Sequence, residues 1–127
     1  MEDITVLLVD DEKEFISALA DRLILREFSP STALSGEGAM REVGNKEPDV
    51  MVLDLRMPGI DGMEVLRRVR KQYPAIKVII QTGHGSPQDE ADARALGVFD
   101  YLIKPVNIER LVERIKAAAK ARRTVGA

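Results

Sequence analysis

Asp10, Asp11, Asp54, Thr82 and Lys104 are the side chains of this sequence whose types, taken together, could do chemistry. They are three carboxylates, a hydroxyl and an ammonium, each placed at the end of an apolar run. Carboxylates gathered in one place repel: at an effective dielectric near 20, each pair ~4 Å apart costs about 4 kcal/mol. Lys104 neutralises one charge and two remain. Relief comes from a proton taken up by a carboxyl group or from a hard cation. An all-oxygen, acidic, solvent-facing site suits Mg²⁺, which keeps several waters and takes one or two carboxylates. Its open positions admit a phosphate oxygen, to which the Thr82 hydroxyl and the Lys104 charge can also donate. A carboxylate nucleophile, a cation and two such donors fit transfer of a phosphoryl group onto aspartate.

That chemistry requires elements that bring these positions together. Val50–Leu53 is an unbroken apolar run, the pattern of a strand buried on both faces, and it stops at Asp54. Met57-Pro58-Gly59 reads as a turn, and Asp61 with Glu64 three positions on as a helix start. Residues 4–9 form a second apolar run, ended by Asp10-Asp11-Glu12. The helix after it carries Ile16, Leu19, Ala20 and Leu23 as an amphipathic stripe. Residues 31–34 read as a short strand beside Pro30, tolerable only at a sheet edge, and 36–43 as a weak helix closed by Gly44. Residues 76–80 form the next strand, leading to Gln81-Thr82-Gly83-His84-Gly85; Ser86, Pro87 and Asp89 then open a helix. Residues 98–103, interrupted by Asp100, are the last strand. Asn107 caps a final helix with Ile108, Leu111, Val112 and Ile115 inward, and 122–127 is expected to fray.

Strand and helix thus alternate five times, the mark of an α/β fold with a parallel sheet and helices on both faces. A flavodoxin-like, doubly wound, five-stranded sheet of order 2-1-3-4-5 with five helices suits it, because the second and fifth strands look like edges. In that order Asp10 and Asp11 stand beside Asp54 at the topological switch point. Thr82 and Lys104 end the fourth and fifth strands at the same rim.

Composition narrows the class. At 127 residues and 14.1 kDa the chain reads as a single domain over 1–127, with a core of about 4–119 and a basic tail over 120–127. No apolar run is long enough to cross a membrane, and no signal-peptide pattern precedes Ile4. The absence of cysteine excludes disulfides, thiolate metal sites and a cysteine nucleophile, and it is compatible with the cytoplasm. A net charge of −2 gives the whole chain no bias toward nucleic acid, and direct nucleic-acid binding is not expected. From Lys104 onward seven Lys/Arg face two Glu, which reads first as a solvated helix and tail.

Val9-Asp10-Asp11-Glu12, the stretch from Leu53-Asp54 to Asp61-Gly62, Thr82-Gly83 and Lys104-Pro105 together resemble the receiver domain of two-component response regulators. Four motifs in the right order, spanning nearly the whole chain, make the resemblance specific. It implies that Asp54 accepts a phosphoryl group from a histidine kinase or phosphotransfer protein. It also implies Asp11, Asp54 and the backbone carbonyl of Arg56 as Mg²⁺ ligands, with Asp10 acting largely through water. Thr82 and Lys104 would contact the phosphoryl group, and Tyr101 would turn inward on activation. The Lys104–Pro105 bond would be cis, and the kinase would dock near Phe15 and Ala18. Such a protein is a signalling phosphoacceptor that catalyses only its own phosphorylation and dephosphorylation, acting on a downstream protein and compatible with a homodimer. Arg56 and His84, two positions after Asp54 and Thr82, would tune the phosphoryl lifetime. Gly83 departs from the alanine common at its position, yet keeps the residue small.

Blander roles stand beside these. Asp10 or Asp11 could cap the first helix, Tyr101 could be a packed aromatic, and His84 an exposed loop residue. The rival from another class is an aspartate-nucleophile phosphatase of the haloacid-dehalogenase kind. Its Asp-x-Asp-x-Thr pattern after the first strand does not match Asp10-Asp11-Glu12-Lys13-Glu14.

Overall fold

The computed structural model describes residues 3–125. Five strands and five helices alternate: β1 Thr5–Val9, α1 Lys13–Ile24, β2 Ser29–Ala33, α2 Gly36–Asn45, β3 Val50–Leu53, α3 Gly62–Gln72, β4 Lys77–Thr82, α4 Pro87–Ala95, β5 Asp100–Ile103 and α5 Ile108–Val125. All neighbouring strands are parallel, in the order β2-β1-β3-β4-β5, the doubly wound arrangement expected from the alternation. Because side chains alternate across a strand, the central strands supply two separate cores. Leu7, Val9, Met51, Leu53, Val78 and Ile80 pack with Val43, Val65, Leu66 and Val69 on one face. Val6, Leu8, Val50, Val52 and Ile79 pack with Ile16, Leu23, Leu111 and Ile115 on the other. Burial on both sides is why these strands read as continuous apolar runs.

The helix starts follow their capping chemistry. Ser86 accepts from the Asp89 N–H while the Asp89 carboxylate accepts from the Ser86 N–H, a complete capping box with Pro87 in the first turn. Asp61 accepts from the Glu64 N–H, and Asn107 from the N–H groups of Glu109 and Arg110.

Several boundaries differ from expectation: α2 runs past Gly44 to Asn45, β4 is Lys77–Thr82 instead of 76–80, and β5 starts at Asp100 instead of at 98. β2 includes Pro30, opposite Val6, instead of starting after it. An edge strand has one neighbour only, so a missing N–H is tolerated there. Across the stretch from Arg122 expected to fray, α5 continues to Val125. Arg122 and Arg123 are held at 2.9 and 3.1 Å by the carboxylate of Asp49. Residues 126–127 of that stretch lie outside the described residues.

Candidate functional site

Strand ends build the rim. Val9 lies opposite Leu53 in the β1–β3 ladder, and the Asp54 N–H donates to the Val9 carbonyl at 3.0 Å, so the chain leaves both strands side by side. Carboxylate oxygens of Asp10, Asp11 and Asp54 consequently lie within 4.8 Å of one another, with Asp10 and Asp54 buried and Asp11 exposed. Thr82 closes β4 and is fully buried, and the Lys104 N–H donates to the Thr82 carbonyl at 2.9 Å, fixing the end of β5 beside it. The Lys104–Pro105 peptide is cis, as the resemblance implied.

The charges do not balance. Lys104 Nζ donates to Asp10 Oδ2 at 2.7 Å, stands 3.7 Å from Glu12 and 3.9 Å from Asp54 Oδ2, and lies 4.4 Å from the centroid of the Phe15 ring. Burial disfavours the ammonium, but the hydrogen bond and charge of Asp10, joined by Asp54 and Glu12, outweigh it and hold Lys104 above the usual lysine value. At Asp54 burial dominates and raises the carboxyl above its ordinary value, with the Asp10 charge adding to it. The Thr82 hydroxyl, the Lys104 charge and the Arg56 backbone N–H draw it back only in part. Oδ1 of Asp54 is buried and has no hydrogen-bond partner among the described residues. A buried anionic oxygen with no donor is costly, and an incoming ligand removes the cost. Three carboxylates, one of them open to solvent and one carrying this orphaned oxygen, fit a hard divalent cation.

Asp10 does not take the blander capping role, because the N-cap of α1 is Glu12, with no side-chain cap hydrogen bond. Its Oδ1 accepts from the Glu12 N–H at 2.9 Å at the entry to α1, while Oδ2 holds Lys104. Tyr101 is buried in the core beside β4, turned inward, and its hydroxyl has no partner among the described residues. His84 is exposed, and it reaches the site only through its backbone N–H, 3.3 Å from Thr82 Oγ1. The Arg56 side chain points away to Asp89, at 2.8 Å.

Two glycines of the quoted motifs carry packing that the sequence did not reveal. A methyl group on Gly62 would stand 2.2 Å from the Asp54 carbonyl oxygen, so α3 seats itself directly against the phosphoacceptor candidate's backbone. At Gly85 the Tyr101 hydroxyl occupies the place of a side chain, 1.7 Å from where Cβ would be. Gly83, by contrast, faces Lys104 Cβ at 3.8 Å, ordinary contact distance, so alanine would fit. In this structure the tighter packing in the loop is therefore at Gly85. Its place in Gly83-His84-Gly85 was the available signal.

The chain matches the family described as response regulator receiver domain over residues 6–116. It is 38% identical over 113 residues to the transcriptional regulatory protein GlrR of Escherichia coli, covering 89% of this chain and 26% of that protein. It is 35% identical over 117 residues to PrrA of Mycobacterium leprae, covering 92% and 50%. The chain therefore spans a quarter to a half of the length of these relatives. Among solved structures, a receiver domain from Clostridium thermocellum superposes with a TM-score of 0.91 at 31% identity, covering 96% of this chain and 98% of that one. The receiver domain of NtrX from Brucella abortus gives 0.84 at 27%, covering 91% and 98%. These matches set aside the haloacid-dehalogenase alternative, whose nucleophile would follow β1; here the orphaned carboxylate oxygen follows β3.

Proposed function

This chain belongs to the response regulator receiver domain family, and from that premise we propose that Asp54 is its phosphoacceptor. The observation that carries the reading is Oδ1 of Asp54, buried and without a donor among the described residues, at a rim of excess negative charge. A carboxylate oxygen of Asp54 bonds to the phosphorus of a phosphohistidine on a histidine kinase or phosphotransfer protein. The phosphorus–nitrogen bond breaks, and the imidazole leaves with its electron pair. Lys104 and Thr82 donate to the phosphoryl oxygens. Asp11, Asp54 and the Arg56 carbonyl, with Asp10 through water, would hold Mg²⁺, which supplies charge neutralisation at those oxygens. The chemistry stops at the chain's own phosphorylation and dephosphorylation, the latter paced by Arg56, Gly83 and His84.

The apolar cavity of about 470 Å³ beside Lys104, lined by Phe15, Ala18, Leu19, Val106 and Ile108, supports docking of the donor protein at the α1 edge. We place this exchange in the cytoplasm. The output is a switch in Thr82 and Tyr101 that changes the face made by α4, β5 and α5 for a downstream protein. One charge-assisted hydrogen bond from Thr82 contributes about 1.5–3 kcal/mol, whereas moving a population from 1:99 to 99:1 takes about 5.5 kcal/mol. Lys104 and the partner supply the remainder.

The test is incubation with acetyl phosphate and Mg²⁺ followed by intact-mass measurement. Wild type should gain a single phosphoryl mass that hydroxylamine removes. Undiminished labelling of Asp54→Asn would contradict the assignment.

A further inference from the structure

Arg56 and Asp89 are joined by an ion pair that phosphoacceptor chemistry alone does not explain. Arg56 stands two residues after Asp54, and its backbone N–H already favours the ionised Asp54 carboxylate. Its guanidinium lies elsewhere, 2.8 Å from Oδ2 of Asp89 in the first turn of α4. That oxygen also accepts from the Ser86 N–H at 3.1 Å, while Ser86 Oγ accepts from the Asp89 N–H, so α4's own cap anchors the carboxylate. The Ser86 N–H foremost, with the Arg56 charge adding, holds the Asp89 carboxyl below its usual range. The anchor is firm, but the bridge is not: the Arg56 side chain is 55% exposed, and exposed pairs of this kind hold weakly. An aspartyl phosphate carries more charge than Asp89 and offers oxygens that match the guanidinium fork. Asp89 and a phosphoryl group on Asp54 therefore compete for one side chain.

We propose that Asp89 is a positioning residue that sets the reach of Arg56. While the bridge stands, the guanidinium is kept at α4 and water has access to the aspartyl phosphate. When the bridge breaks, Arg56 turns onto the phosphoryl oxygens and covers them, and α4 loses its tie to the loop after β3. This rests on Asp54 being the phosphoacceptor.

The experiment is a double-mutant cycle. Wild type, Asp89→Asn, Arg56→Ala and the double variant are labelled with acetyl phosphate and Mg²⁺, desalted, and followed by intact mass as the label is lost. Asparagine keeps a side-chain oxygen for the Ser86 N–H, so the cap of α4 survives. Asp89→Asn is expected to lengthen the phosphoryl lifetime by about threefold or more, and to change nothing in the Arg56→Ala background. An unchanged or shortened lifetime, or an equal effect without Arg56, overturns the inference. Wild type that takes no label overturns the phosphoacceptor reading along with it, whereas full labelling with equal lifetimes overturns this inference alone.

Discussion

β3 carries a buried aspartate at each end, and the two are treated in opposite ways. Asp49, 8% exposed, precedes the strand; Asp54, 4% exposed, follows it. Asp49 accepts from the Thr5 N–H at 3.0 Å and the Thr5 hydroxyl at 3.3 Å, and pairs with Arg122 at 2.9 Å and Arg123 at 3.1 Å. Asp54 has a lysine no nearer than 3.9 Å and one oxygen with no donor among the described residues. A buried carboxylate with its full set of donors ties β1, β3 and α5 together. The same group with one oxygen left unpartnered stores an unmet demand that a cation and a phosphoryl group can meet. The contrast separates a structural acid from a reactive one on the same strand.

The largest effect should come from breaking the satisfied end. Asp49→Ala removes an anion bound by two arginines and strands the Thr5 N–H, and should cost about 3 kcal/mol. Thermal unfolding should fall by roughly 10 °C while acetyl phosphate still labels Asp54. Gly62→Ala acts at the other end. It forces a methyl group against the Asp54 carbonyl and should cost about 2 kcal/mol, with slower labelling in the same intact-mass assay.

Removing the unmet charge should have the reverse sign. The folded state raises the Asp54 carboxyl, so it binds more protons there than the unfolded chain does, and stability falls as pH rises through the raised value. Asp54→Asn should therefore stabilise the metal-free protein at neutral pH, on the order of 1 kcal/mol. The gain should vanish below the ordinary carboxylate range, as thermal melts across pH would record. The smallest effect belongs to Tyr101→Phe. It deletes a buried hydroxyl that has no partner among the described residues, and melts should show no loss and a gain of up to about 1 kcal/mol.

The difference between the two ends was only half legible in the sequence. Asp54 announced itself by ending an apolar run, and Thr82 and Lys104 stood at the ends of two more. Short sequence patterns of that kind carry the strands, their order and the five rim residues. Asp49 gave no such signal, because its partners Arg122 and Arg123 come from a stretch that composition assigns to a solvated tail. The long-range contacts of Gly85 and Asp89 were obscure as well. What they touch, Tyr101 and Arg56, lies across loops whose approach no periodicity encodes. Pro30 shows the converse, since a local rule placed it beside β2 while the edge position admitted it.

The most direct measurement is the rise in melting temperature on adding Mg²⁺ to wild type, Asp49→Asn and Asp54→Asn. A ligand that binds only the folded state stabilises it in proportion to the logarithm of its concentration over its dissociation constant. Wild type and Asp49→Asn should gain alike, and Asp54→Asn should gain little. An Asp54→Asn protein that Mg²⁺ stabilises as fully as wild type would contradict the claim that the donor-poor end of β3 is built to receive a cation.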